Sequence, residues 1–210
     1  MTSSTILAFA AMAALLIMSP GPNGVLIAKT VPTSGKAAGF ANIAGFATAF
    51  FMHGTFAIFG LSVLVLQSAN LFLAVKLVGA VYLIWIGVKA LIEALRGRPA
   101  DVLKVAPARN PRTLAKAFGE GFLTNALNPK VAMFYIAAFP QFVPHGSSPL
   151  SAFMLVAVHA LLNMLWFGPM VLLFERLSKV ARSGRVQRAV KALTGAVFVG
   201  FGIKLATLRT

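Results

Sequence analysis

Residues 5–28 of the chain read TILAFAAMAALLIMSPGPNGVLIA, an apolar run with a proline-rich interruption inside it. The run is long enough to cross a membrane as a helix, which takes about 20 mainly apolar residues. The interruption is Ser19-Pro20-Gly21-Pro22-Asn23, where each proline removes a backbone donor in a medium that has no water to replace it. The stretch therefore predicts a membrane helix whose broken backbone lines a polar cavity.

The composition of the whole chain agrees with a membrane protein. Of its 210 residues, 59% are hydrophobic and 11% are charged, against about 45–50% and about 25% in an ordinary soluble domain. The net charge is +15, but the basic run at residues 176–191 contains no aromatic residue on which a base could stack, so binding to nucleic acid is not expected. Since the chain has no cysteine, disulfides and thiolate metal sites are excluded.

Six apolar segments are long enough to span a bilayer. They cover residues 5–28, 37–66, 71–95, 114–140, 150–173 and 190–208. We expect one all-α integral membrane domain over 1–210, with a first half (1–95) and a second half (113–210) on either side of a basic loop (96–112). Because each half has three spans, the second half enters the membrane in the opposite sense, and the six helices are predicted to form a 3+3 inverted repeat.

The positive charges predict the orientation. Fourteen of the nineteen Lys and Arg residues lie in or beside three connections, around residues 29–36, 96–116 and 176–191. The connections at 67–70 and 141–149 carry none. The positive-inside rule then places the three basic loops in the cytoplasm and both termini outside.

The first span of each half is interrupted at a comparable depth. The second interruption reads Asn125-Ala126-Leu127-Asn128-Pro129-Lys130. Matched breaks in corresponding helices of two halves are typical of a transporter site near the membrane midplane, where helix N-termini face anionic groups. A packing kink is the alternative interpretation of each proline. The predicted substrate-binding residues at the two breaks are Pro20, Gly21, Pro22, Asn23, Asn125, Asn128, Pro129 and Lys130.

Several polar residues lie inside the predicted spans. A lysine in mid-span, such as Lys130, costs about 2.5–3.5 kcal/mol on insertion scales, so a functional role is weighed against snorkelling to the interface. His53 and Glu120 are candidates for proton coupling, with a structural histidine and an interfacial carboxylate as the alternatives. Asn163, which shares a helix face with His159, is a candidate for substrate binding or for a bond between helices.

Signs of catalysis are missing from the sequence. It contains no nucleophile elbow and no Walker loop, and its three histidines are dispersed. We therefore expect no enzyme activity, cofactor or metal site. Transport would run on an ion gradient or down the gradient of the substrate.

Over nearly its full length the chain resembles the lysine exporter (LysE/RhtB) family of bacterial amino-acid exporters. The motifs that carry the resemblance are Ser19–Asn23, Gly79-Ala80-Val81-Tyr82-Leu83-Ile84-Trp85-Ile86-Gly87, Gly121–Asn125 leading into Asn128-Pro129-Lys130, and Phe139-Pro140-Gln141-Phe142. The resemblance implies a multi-pass exporter in the bacterial inner membrane that exchanges amino acids or close derivatives for protons. It also implies that the two breaks form the site and that His53 belongs to a recurring second-span pattern.

One departure from the family bears on the substrate. Relatives often carry an acidic residue in the fifth span near the position of Asn163, and the chain has none there. This favours neutral or homoserine/threonine-type substrates over lysine or arginine. The expected partners are the amino acid, protons and the lipid bilayer, and a homodimer is compatible with them. A small-cation or metal effluxer, a channel, and a membrane scaffold without transport are the alternatives.

Overall fold

The computed structural model describes residues 1–60, 69–96, 112–143, 147–174 and 184–207. Most of these residues are helical and none is in a strand, which confirms the all-α prediction. The helices are α1 (Ser3–Met18), α2 (Pro22–Thr55), α3 (Ala69–Arg96), α4 (Leu114–Ala126), α5 (Pro129–Met133), α6 (Pro149–Leu172) and α7 (Gly184–Thr207). A π-helical turn, Phe56–Gly60, extends α2, and Phe134–Ala138 (π) and Phe139–Phe142 (3-10) extend α5.

Four helical segments of the described residues are long and apolar enough to cross a membrane. They are Pro22–Gly60, Lys76–Arg96, Pro149–Leu172 and Gln187–Thr207. Helix α1 is apolar but shorter, and the predicted span 114–140 is divided into α4, α5 and the turns that follow. The chain is thus a multi-pass helical membrane protein in which two of the six predicted spans are not single long helices.

The two divisions of the helical path fall at the two predicted interruptions. Helix α1 ends at Met18 and α2 begins at Pro22, while α4 ends at Ala126 and α5 begins at Pro129. Proline is favoured at the first position of a helix, because its missing N–H would have no partner there in any case. The Asn128 side chain caps α5 by accepting a hydrogen bond from the backbone N–H of Lys130 at 3.1 Å.

The connection predicted between spans one and two, around residues 29–36, is shorter than expected and consists of one residue within that range. Helix α2 continues through Lys29 and Pro32, and only Gly35 leaves the helical conformation, with φ of 83°. Glycine tolerates this left-handed value because it has no Cβ. The Thr33 hydroxyl donates to the carbonyl of Lys29 at 2.7 Å, so a local hydrogen bond supports the helix beside its proline. A kink therefore replaces the expected loop.

Glycines bring the helix backbones into close contact at two crossings. Helix α2 packs on α4 where Gly45 lies against the backbone of residues 118–122, and α3 packs on α7 where Gly87 and Gly195 face each other. A Cβ on Gly87 would lie 2.8 Å from the carbonyl oxygen of Gly195. Small residues allow such approach in membranes, where dispersion replaces the hydrophobic effect between helices. The pairs α2–α4 and α3–α7 are therefore the most closely packed helices of the described residues.

The interior between these pairs is filled mainly by aromatic rings. Phe9 of α1, Phe50 of α2, and Phe134, Tyr135 and Phe139 of the segment after α5 are each at most 1% exposed. Of the predicted basic loop 96–112, only the two end residues belong to the described part of the chain. Arg176, Lys179 and Arg182 lie outside that part as well. The aromatic packing holds α1, α2 and the residues after α5 in fixed positions around the two helix breaks.

Candidate functional site

The Lys130 ammonium joins the two helix breaks. Its Nζ donates to the carbonyl oxygens of Leu16 at 3.1 Å and Ser19 at 3.0 Å. In a continuous helix the Leu16 carbonyl would accept from residue 20, but Pro20 has no N–H to donate. A cation at a helix C-terminus is also favoured by the helix dipole. Lys130 therefore replaces the donor that Pro20 lacks, and one of its three N–H groups is left for another acceptor.

Asn125 connects the breaks to α2. Its side-chain oxygen accepts from Nδ2 of Asn23 at 3.0 Å, and its own Nδ2 donates to the Phe46 carbonyl at 2.8 Å. Nε2 of His53 lies 3.3 Å from the backbone oxygen of Asn125. Asn23, Asn125 and His53 are all buried. Two of the predicted site asparagines and His53 thus form one buried polar network.

A cavity of about 140 Å³ opens beside this network. A single water needs only about 10–15 Å³ on the same measure, so the cavity can hold a small organic molecule. Its lining includes residues 16–21 at the first break and the polar side chains of Asn23, Asn128 and Lys130. Its apolar wall includes Phe50 together with Trp166, Phe167 and Met170 of α6. No carboxylate belongs to the lining residues. One ammonium, several amides and an apolar surface suit a small anionic or zwitterionic ligand.

The remaining predicted break residues shape this cavity through the backbone. Gly21 lies next to Lys130, since a Cβ placed on it would be 3.0 Å from Nζ. Pro22 and Pro129 each occupy the start of a helix, α2 and α5 respectively. Gly21 precedes α2 without a side-chain cap, so the first N–H groups of that helix have no partner from the capping residue. The backbone N–H groups at the start of α2 therefore lie beside the cavity and can donate to a ligand in it.

An aromatic chain continues from the cavity into the protein. His159 lines the cavity, stacks on Phe50 with ring centroids 4.0 Å apart, and has Nδ1 3.2 Å from the hydroxyl of Tyr135. The Tyr135 ring stacks in turn on His53 at 5.7 Å. Two histidines that the sequence leaves separate are thereby linked through one tyrosine.

Asn163 is fully buried on α6, one turn from both His159 and Phe167. Among the described residues neither its amide nitrogen nor its oxygen has a hydrogen-bond partner. A buried amide group left unpaired costs about 1–3 kcal/mol. Asn163 is not one of the cavity's lining residues, but its neighbours His159 and Phe167 are, so its unpaired amide lies immediately behind the cavity wall.

Glu120 lies apart from this network. Its carboxylate accepts from Nε of Arg112 at 2.6 Å, and the Glu120 side chain is 29% exposed. Arg112 also donates through Nη1 to the Thr33 hydroxyl at 3.1 Å. These contacts tie the start of α4 to the kink of α2. Glu120 lines neither of the two cavities beside the breaks.

Sequence reasoning did not single out Tyr135, Trp166, Phe167 or Met170 as site residues. The last three follow His159 at positions i+7, i+8 and i+11, which lie on one face of a helix. That spacing is the signal that could have found them. Tyr135 is recognisable only by its contact with His159, and no local pattern marks it.

The fold and the site define a class of protein: a multi-pass helical membrane protein with a ligand-sized cavity at two helix breaks. A family model described as LysE type translocator matches residues 14–209. The uncharacterized membrane protein YrhP of Bacillus subtilis is 34% identical, over 95% of this chain and 97% of its own. The leucine efflux protein of Klebsiella pneumoniae is 32% identical (94% and 92%), and the threonine efflux protein of Salmonella typhi is 27% identical (92% and 93%).

The chain belongs to the family of LysE type translocators. The match covers both helix breaks and every residue of the cavity described above. The predicted resemblance is thereby confirmed. No solved structure matches the chain.

Proposed function

We propose that the chain exports neutral amino acids or close derivatives across the bacterial inner membrane in exchange for protons. The observation that carries the proposal is the Lys130 ammonium, which lies at a helix break and lines a cavity whose other walls contain amides, the His159 imidazole and apolar side chains. Relatives named as threonine and leucine efflux proteins support amino acids as the substrate class.

In this proposal the substrate carboxylate binds between Lys130 and the N-terminus of α2. The third N–H of the Lys130 ammonium and the uncapped N–H groups after Gly21 are the donors. Asn23, Asn125 and Asn128 orient the ligand, and the apolar wall on α6 receives its side chain. Since no lining residue is acidic, a second positive charge on the substrate would find no partner. Export of a cation would also oppose the membrane potential by about 2.3 kcal/mol per 100 mV.

We further propose that the six predicted spans form an inverted repeat that works by alternating access. In such a repeat the first span corresponds to the fourth and the second to the fifth. A contact between the first and fifth spans should then be matched by one between the fourth and second. The packing of α1 on α6 and of α4 on α2 agrees with this expectation. The basic connections would be cytoplasmic and both termini outside. The bond from the backbone N–H of Arg112 to the Ser34 hydroxyl, 2.9 Å, supports this by bringing two of the basic connections to one end.

The transport assay uses inverted vesicles that contain the protein and labelled threonine, leucine or homoserine in the outer medium. An inside-acidic pH gradient should drive uptake, and unlabelled substrate inside should accelerate it by exchange. Vesicles with no protein are the control. Uptake equal to the control for all three compounds would refute amino-acid export, and conductance without exchange would indicate a channel.

The same assay separates the two candidates for proton coupling. His53 contacts the break through Asn125, whereas Glu120 is engaged by Arg112. We therefore expect His53→Gln to lose the response to the pH gradient and to retain exchange of substrate for substrate. Glu120→Gln should change the response less than twofold, because a partly exposed ion pair contributes little. The opposite pattern would assign the proton to Glu120.

Asn163 gives a prediction that separates function from stability. Replacing a buried unpaired amide with an apolar group of similar size is neutral or stabilising. We expect Asn163→Leu to raise the melting temperature by about 2–4 °C for each kcal/mol gained, and to lower transport. Detergent-solubilised protein and vesicles would be measured in parallel. A lower melting temperature with normal transport would mean that Asn163 serves packing alone.

A further inference from the structure

A second cavity, of about 190 Å³, lies between α3 and α7. Ser19, Pro20 and Lys130 line both this cavity and the one at the breaks. Its other polar residues are Lys89 and Glu93 of α3 and Lys191 and Thr194 of α7. Glu93 is near the end of α3 and Lys191 near the start of α7, so the cavity extends from the breaks toward the basic connections.

The charges in this cavity do not balance. Three lysines line it with a single acidic residue, which leaves a net charge of +2. Nζ of Lys191 lies 3.0 Å from Oε2 of Glu93, and the Lys191 side chain is only 6% exposed. The Thr194 hydroxyl is buried and has no partner among the described residues. A buried lysine and an unpaired hydroxyl, in a lining that has three lysines and one carboxylate, favour an anionic ligand.

We propose that this cavity is a second binding site for the transported amino acid, which holds the substrate carboxylate before it reaches Lys130. The inference rests on the proposed function. Lys89 and Lys191 are the groups that receive the carboxylate, and Glu93 receives the amino group. Because Lys130 lines both cavities, a carboxylate can move from the second site to the first without losing contact with a positive charge.

The first test compares the two sides of the membrane. Lys191→Gln and Lys89→Gln should each raise the KM for substrate supplied at the basic end by about tenfold, the usual weight of one hydrogen bond to a charged group. The KM from the opposite side should stay native, but the maximal rate in that direction should fall by the same factor, because with no gradient the ratio of maximal rate to KM must be equal in the two directions. Lys204→Gln, an exposed lysine of α7 outside both cavities, is the matched control. Lys89 is exposed, so its variant is expected to fold even if the Lys191 variant does not.

The second test uses the absence of cysteine from the chain. Ala90 lines the cavity, so Ala90→Cys places a thiol there. Val88→Cys is the control, because Val88 lies two residues away, is exposed and does not line the cavity. A charged thiol reagent added at the basic end should label Ala90→Cys and not Val88→Cys, because the exposed side chain at position 88 of this apolar span faces lipid, which a charged reagent does not enter. Leucine and its deaminated carboxylic acid should slow the labelling, and the corresponding amine, which lacks the carboxylate, should not.

Two results would overturn the inference. The first is a native KM on both sides for the lysine variants, and the second is labelling of Ala90→Cys that no carboxylate slows. If the native protein transports amino acids, either result removes only the second site and leaves the proposed function intact. If the native protein transports none, the proposed function fails first and the second site falls with it.

Discussion

Lys130→Gln should give a folded protein whose amino-acid transport is reduced by roughly 10- to 100-fold or more. Glutamine keeps an N–H₂ group that can donate to the carbonyls at the end of α1, but it has no charge for the substrate. A hydrogen bond to a charged group contributes about 1.5–3 kcal/mol, and each 1.4 kcal/mol is tenfold in affinity. The loss would appear as a raised KM and a lowered rate in vesicles at matched protein content.

Lys130→Met tests the structural role of the same side chain. Methionine leaves the carbonyls of Leu16 and Ser19 without the donor that they have in the native protein. We therefore expect a lower melting temperature for this variant than for Lys130→Gln, with transport lost in both. Lys204→Gln is again the control. Native transport by Lys130→Gln would exclude the ammonium from substrate binding and leave it the role of a helix cap.

The two helix breaks are predictable from sequence because their cause is local. Pro20 and Pro129 each remove a backbone donor and clash with the preceding turn, whatever surrounds them. The kink at Gly35 is less visible, because one glycine between helical residues does not by itself predict a turn. The same reasoning that finds the breaks therefore makes the connection at 29–36 too long, because local hydrogen bonds keep Pro32 within a helix and only Gly35 leaves the helical conformation.

The hydrogen-bond partners of the polar site residues are distant in the chain, so they cannot be predicted from a local sequence pattern. Lys130 reaches carbonyls more than a hundred residues earlier, and Asn23 donates to Asn125 across the same separation. The first contact joins α5 to the end of α1 and the second joins α2 to α4, so both depend on how the helices pack. Glu120 shows the converse: its partner, Arg112, lies only eight residues earlier in the chain, before α4 begins.

The apolar wall of the cavity is hidden for a different reason. Trp166, Phe167 and Met170 lie in a helix that is apolar on every side, since one face contacts lipid and another contacts protein. In a soluble helix the contrast between polar and apolar faces reveals the buried side. A membrane helix lacks that contrast, so only polar markers such as His159 and Asn163 indicate which face points inward.

A large effect on folding is expected from a single methyl group at the crossing of α2 and α4. A Cβ on Gly121 would lie 2.8 Å from the Cα of Asn42 and closer still to its carbonyl oxygen. Both are backbone atoms of α2, so the helices themselves must separate. Overpacking of this kind costs about 1–3 kcal/mol and sometimes more. We expect Gly121→Ala to lower the melting temperature by about 2–4 °C per kcal/mol.

Separation of these helices should also reduce transport. The side chain of Asn42 donates to the Ala117 carbonyl at 2.6 Å, and Asn125, one turn beyond Gly121, donates to the Phe46 carbonyl at 2.8 Å. A shift of α4 lengthens both bonds and moves Asn125 away from Asn23, so the break that carries Lys130 loses its anchor on α2. Activity per folded molecule should therefore fall together with stability.

Gly119→Ala is the matched control for this prediction. Gly119 lies on the same helix, two residues from Gly121, and a Cβ placed on it would meet nothing within 4 Å. Alanine is favoured over glycine inside a helix by about 0.5–1 kcal/mol, so this variant should be as stable as the native protein or slightly more so, with native transport. Equal melting temperatures for the two variants would show that α2 and α4 are free to move apart. The close glycine crossing would then not be what fixes Asn125 at the site.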